Sequence, residues 1–162
     1  MADREDNLIF IHGLYSSGHG YKARYLKHRF PSIITPDFTG SLDERMEQLN
    51  HILGERSAWN IIGSSFGGLM GAIFTCQNPQ SVNRLILLAP ALIWPDFVNS
   101  ITGQVDVPTV IYHGRSDDVI PFELIKTLAE QVFTNLTFNE VNEGHLLHQT
   151  VQTIDWYKLI GQ

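Results

Sequence analysis

Apolar residues in this chain gather in short runs, separated by longer stretches where they recur every three or four positions. Leu8-Ile9-Phe10-Ile11 is a run that stops at His12-Gly13, and Trp59-Asn60-Ile61-Ile62 is another that stops at Gly63. Leu85-Ile86-Leu87-Leu88 and Thr109-Val110-Ile111-Tyr112 have the same form, the latter ending at His113-Gly114. Residues 136–141 alternate, and Ser32-Ile33-Ile34-Thr35-Pro36 is a shorter apolar patch. Each run has the length and content of a β-strand. Between them, Leu42, Met46, Leu49 and Leu53 recur at helical spacing, and Ser41 with Glu44 three residues later forms a capping box. A small-residue helix through Leu69, Ala72, Ile73 and Phe74 is expected to end near Asn78-Pro79. Further helices are expected over residues 122–132 and 150–160.

Strands alternating with helices imply βαβ units and a parallel sheet with helices on both faces, an α/β/α sandwich. Runs without strict alternation fit strands covered on both sides. The 162 residues carry no internal repeat or linker and read as a single domain over 1–162. In open sheets of this type, sites gather at the carboxyl ends of the strands. The residues that follow each apolar run are therefore the ones to inspect.

Composition narrows the classes. Hydrophobic residues make up 43% and charged residues 17%, which is ample for a core and wrong for a disordered chain. A formal net charge of −6 provides no general attraction to nucleic acid or to an anionic membrane, although residues 22–29 are locally basic. The single cysteine, Cys76, cannot form an intrachain disulfide and fits a helix interior as a small hydrophobe. The opening Met1-Ala2-Asp3-Arg4-Glu5-Asp6-Asn7 is charged and lacks the apolar core of a signal peptide, and no apolar run is long enough to span a membrane. The expectation is a cytoplasmic protein that binds neither nucleic acid nor membrane; oligomeric state is not legible.

Gly63-Ser64-Ser65-Phe66-Gly67 matches G-x-S-x-G between an apolar run and a helix-like stretch. That context suits a nucleophile on a sharp strand-to-helix turn, where flanking glycines leave room for the backbone. Ser65 falls at the nucleophile position and Ser64 does not. A serine hydroxyl needs a base, and His145, in Gly144-His145 after the last strand, is the favoured candidate over His148. Asp117, in His113-Gly114-Arg115-Ser116-Asp117-Asp118-Val119-Ile120-Pro121, is placed to orient that histidine, with Asp118 as the neighbouring alternative or a turn-capping residue. His12-Gly13-Leu14-Tyr15 follows the first strand, and the backbone amides of Leu14 and Phe66 are the candidate oxyanion hole. His12 and His113 read as structural. Seven histidines raise the question of a metal, but there is no H-E-x-x-H, no Cys/His cluster, no G-x-G-x-x-G and no P-loop lysine. No metal or organic cofactor is expected.

Taken in order, His12-Gly13, the Ser65 turn, His113-Gly114-x-x-Asp117 with its trailing Val119-Ile120-Pro121, and Gly144-His145 resemble the α/β-hydrolase superfamily. The resemblance runs from about Leu8 to the last helix. Residues 12–25 are similar to small esterase-like members of the YqiA type. It implies a minimal α/β-hydrolase fold that starts at the family's third strand, with about six parallel strands in spatial order 2-1-3-4-5-6. Residues 89–108 are too few for the helical lid of larger members, so an open, shallow site is expected. Tyr15, Ile93, Trp94 and Phe97 are candidates for an apolar acyl-binding wall, with simple covering of the sheet end as the alternative for Trp94 and Phe97.

The expected activity is hydrolysis of small or short-acyl carboxylic esters, or thioesters, through an acyl-serine on Ser65. The alternatives are acyl transfer by the same triad and a non-catalytic binding protein on the same fold.

Overall fold

The computed structural model describes residues 7–161; the charged stretch 1–6 and Gln162 lie outside the described residues. Five parallel strands form one sheet in spatial order β1-β2-β3-β4-β5: β1 (Leu8–Ile11), β2 (Trp59–Ser64), β3 (Val82–Leu88), β4 (Thr109–Gly114) and β5 (Leu136–Val141). The register sets Phe10 beside Ile62, Ile62 beside Ile86 and Ile111 beside Phe138. Side chains alternate across the sheet. Ile9 and Ile11 join one core with Ile61, Leu85 and Leu87, whereas Leu8 and Phe10 join the other with Ile62, Ile86 and Leu88.

Helices cover both faces. Helices α2 (Leu42–Leu53), α3 (Phe66–Gln77), α4 (Pro95–Ser100) and α5 (Phe122–Val132) contribute Leu49, Leu69, Phe97 and Ile125 to the first core. Helices α1 (Tyr21–Arg29), α6 (His148–Thr153) and α7 (Trp156–Ile160) contribute Leu26, Val151 and Trp156 to the second. Each side chain of this size, removed from water, contributes about 1.5–3 kcal/mol before conformational entropy is charged against it. The Ser41/Glu44 capping box forms as expected, with the Ser41 hydroxyl accepting the Glu44 amide and the Glu44 carboxylate accepting the Ser41 amide.

Three expectations are corrected. The patch at residues 32–36 lies beside β1, where the sixth strand was expected, but forms a single bridge there. The Phe10 amide donates to the Ile34 carbonyl and the Ile34 amide to Leu8, both at 3.0 Å. Pro36 has no N–H to extend the ladder, and the next groups are used elsewhere: the Asp37 carboxylate accepts the Gly18 amide at 2.7 Å, and the Phe38 amide donates to His12. The segment anchors the loop after β1 instead of widening the sheet. The last helix is split in two, because Ile154 is extended and Asp155 caps a fresh turn by accepting the Lys158 amide. Helices α1 and α4 were not expected; α1 buries just Ala23 and Leu26 and so carries little apolar periodicity.

Candidate active site

The carboxyl ends of β1, β2, β4 and β5 converge on one cleft of about 700 Å³. The elbow after β2 is its centre. Ser65 has φ +54° and ψ −114°, a backbone state that an L-residue adopts at a cost of about 1–3 kcal/mol. Surrounding bonds hold it there. The Ser65 amide donates to Leu88 at 2.9 Å, and its carbonyl accepts the amides of Ala91 and Leu69. The two motif glycines are needed for close approach. A Cβ on Gly63 would lie 2.5 Å from the Gly67 carbonyl oxygen, and one on Gly67 would lie 2.0 Å from that of Ile11. Either methyl would force the elbow off the sheet.

His145 reaches the elbow from the loop after β5. Its Nε2 is 3.0 Å from Ser65 Oγ, and its Nδ1 is 2.8 Å from Asp117 Oδ2. A carboxylate only accepts, so the Nδ1 proton is donated to Asp117 and the Nε2 lone pair faces the serine hydroxyl. Asp117 is fully buried. Its Oδ1 accepts the amides of Val119 (2.9 Å) and Ile120 (2.7 Å), which is why Val119-Ile120 trails the aspartate in the sequence. Asp118 is exposed. His148 opens α6 and stacks on the Tyr21 ring, with centroids 4.1 Å apart.

His113, expected to be merely structural, supports the aspartate. Its Nε2–H donates to the Ile120 carbonyl at 2.9 Å, and the ring edge packs against the aspartate with Nε2 3.3 Å from Asp117 Oδ2. Burial pushes its pKa below the ordinary histidine value, outweighing the carboxylate nearby, so the contact with Asp117 is that of a neutral ring rather than an ion pair. The four-residue spacing between His113 and Asp117 was the available signal. The sign of the linkage is definite. The unfolded chain binds a proton at His113 below about 6.5, and the native chain resists it until lower pH. Stability is therefore complete above that value and falls as pH drops below it. Denaturant unfolding from pH 7.5 to 5 should show the decline, and His113→Gln should make it shallower while lowering stability at neutral pH.

The loop after β1 forms the opposite wall. His12 Nδ1–H donates to the Gly13 carbonyl at 2.7 Å, and Nε2 accepts the Phe38 amide at 2.8 Å, so both ring nitrogens are committed in a neutral imidazole. Burial lowers its pKa, in keeping with that tautomer. Among the described residues, neither the Leu14 amide nor the Phe66 amide has a protein acceptor. Phe66 is the first residue of α3, whose leading N–H groups have no partner within the helix. Both residues line the cleft.

Tyr15 stands almost fully exposed at the mouth, and Ile93 and Trp94 line the wall, with Trp94 edge-on to Phe66 at 5.4 Å. Phe97 does not join them. It is completely buried in the first core, so it covers the sheet end instead of meeting a ligand. Val119, Leu146 and Lys22 line the cleft without having been expected. The site is open, as the short segment 89–108 predicts, but a volume of about 700 Å³ is that of a full small-molecule site and not of a shallow one. Among the described residues no group of three or more His, Cys, Asp or Glu is placed to hold a metal, and no helix is long and apolar enough to cross a membrane. Burial in α3 pushes the Cys76 thiol up to about 11, which leaves it unreactive near neutrality.

A serine on a strained strand-to-helix elbow, in a parallel sheet whose later strands bring an aspartate and then a histidine to it, defines a class of α/β proteins. The model of the α/β-hydrolase fold family matches residues 17–101, more than half of the chain, and the protein belongs to that family. No curated protein sequence matches it. Solved structures share its fold at low identity. The α/β-hydrolase domain-containing protein 10 from mouse superposes with a TM-score of 0.78 at 17% identity, over 94% of this chain and 89% of the other. An esterase from Exiguobacterium antarcticum gives 0.78 at 14%, over 97% and 92%. A monoacylglycerol lipase from Paleococcus ferrophilus gives 0.76 at 13%, over 95% and 93%.

Proposed function

We propose that this protein is a serine hydrolase that cleaves small carboxylic esters through an acyl-serine intermediate. The observation that carries the reading is the continuous chain Ser65 Oγ, His145 Nε2, His145 Nδ1, Asp117 Oδ2, with contacts of 3.0 and 2.8 Å. Ser65 Oγ attacks the ester carbonyl as His145 Nε2 takes its proton. The oxyanion forms against the amides of Leu14 and Phe66, where each donor is worth about 3–4 kcal/mol of transition-state stabilisation. His145 then returns the proton to the departing alcohol. Water, deprotonated by the same nitrogen, releases the acid and restores Ser65. Asp117 holds the tautomer throughout and stabilises the imidazolium. A thioester would follow the same course with a thiol as leaving group. The esterase and lipase among the structural neighbours agree with the reading.

The cleft's apolar wall at Ile93, Trp94, Val119 and Leu146 suits a hydrocarbon acyl or alkyl group, and the short segment 89–108 leaves little to enclose a long one. Among p-nitrophenyl esters of increasing acyl length, kcat/KM is expected to be highest for short chains and to fall for long ones. Absence of hydrolysis across the series would count against the reading, and a steady rise with length would count against the short-acyl preference.

A further inference from the structure

Among the described residues Lys22 is the one lysine that lines the cleft beside Ser65, and the chemistry described above does not use it. It sits at the start of α1, near the stacked Tyr21 and His148 rings. Among the described residues, its ammonium makes no hydrogen bond and no ion pair within 4.0 Å. The acidic group whose field Lys22 feels is Glu143. That carboxylate is already engaged: Oε1 accepts the Gln149 amide at 2.9 Å, and Oε2 accepts both the Thr150 amide at 2.9 Å and the Thr150 hydroxyl at 2.6 Å. These bonds fix Glu143 to the first turn of α6. Desolvation in the cleft lowers the pKa of Lys22, so its charge is held at some cost without a close partner to offset it. The rest of the cleft is markedly apolar, with Ile93, Trp94, Val119 and Leu146 on its wall.

From this arrangement we propose that Lys22 is an anion-binding subsite, and that the preferred esters carry a carboxylate or phosphate group besides the scissile bond. The apolar wall takes the hydrocarbon part and the ammonium takes the charged end. The proposal rests on the cleft being the substrate site of the esterase reading, but it can be tested without turnover.

The test measures equilibrium binding to the Ser65→Ala protein by titration calorimetry, supported by Trp94 fluorescence. Two pairs place a carboxylate on either side of the ester: monomethyl glutarate against methyl pentanoate, and 4-acetoxybutanoate against butyl acetate. Acetoxypropyl phosphate distinguishes a phosphate preference from a carboxylate preference. At least one anionic ester should bind about tenfold or more tightly than its neutral counterpart, as a charge-assisted hydrogen bond allows. Adding Lys22→Met should erase the ratio, and adding Lys22→Arg should keep most of it. Equal binding of anionic and neutral members in every arm would overturn the proposal, as would a ratio that survives Lys22→Met. A failed esterase reading would register separately, as wild-type protein that binds these esters and cleaves none.

Discussion

Ser65→Ala is expected to lower kcat for a short p-nitrophenyl ester by about 10⁴- to 10⁶-fold while leaving the fold intact. In the proposed mechanism the hydroxyl forms the acyl bond, and among the described residues no other hydroxyl is hydrogen-bonded to His145. Ser64 is its chain neighbour but lies in β2, largely buried, and His145 Nε2 meets Ser65. Alanine keeps the backbone bonds that hold the elbow, namely the amide to Leu88 and the carbonyl to Ala91 and Leu69. The melting temperature should therefore move little. His145→Ala should be nearly as damaging, because without a base the hydroxyl remains a weak nucleophile. The double variant should be scarcely worse than either single one, since the two residues act as a unit. A Ser65→Ala protein that retains a tenth of the wild-type rate would place the chemistry elsewhere.

Asp117→Asn is expected to cost about 10³- to 10⁴-fold in kcat, and also to destabilise the protein. The native carboxylate accepts from three groups: the Val119 and Ile120 amides on Oδ1, and His145 Nδ1 on Oδ2. An asparagine oxygen can keep the two amides, but its NH₂ then faces His145 Nδ1, which also presents a proton. His145 can adapt only by moving its proton to Nε2, and that removes the lone pair facing Ser65. If His145 keeps its Nδ1 proton instead, that proton and the new amide face each other with no acceptor between them. A buried donor left without an acceptor costs about 1–3 kcal/mol, which thermal unfolding would register. Rate and stability should fall together here, in contrast to Ser65→Ala. If Asp117→Asn stays within tenfold of wild type while Asp118→Asn does not, the orienting acid has been misassigned.

How much of this was legible in the sequence varied with how local the determining interactions are. Strand β1 stands where its apolar run puts it, because a buried parallel strand needs little beyond continuous hydrophobicity, and β5, half-exposed at the sheet edge, stands where its alternation puts it. Helix α2 is written in its own cap and spacing. The segment at Ile34 misled because its apolar content is that of a strand, while its hydrogen bonds are diverted by Pro36, Asp37 and Phe38 to the loop after β1. Helix α1 is held by tertiary packing, with Ala23 and Leu26 buried and Tyr21 and Tyr25 half-buried against the same core, and has little amphipathic pattern to read. In the site, residues adjacent to strand ends were readable because the sheet delivers them to one edge. Phe97 was misjudged because an aromatic residue near a site has the same one-dimensional signature whether it faces ligand or core. The roles of His113 and Lys22 depend on which side of a loop or helix faces the cleft, and spacing along the chain does not encode that.

Active-site labelling decides whether Ser65 is a nucleophile activated by His145. The wild-type protein would be treated with a fluorophosphonate and examined by intact-mass and peptide mass spectrometry. The account predicts a single adduct, mapped to Ser65, absent from Ser65→Ala and strongly slowed in His145→Ala. An unlabelled wild type, or equal labelling of Ser65→Ala, would contradict it.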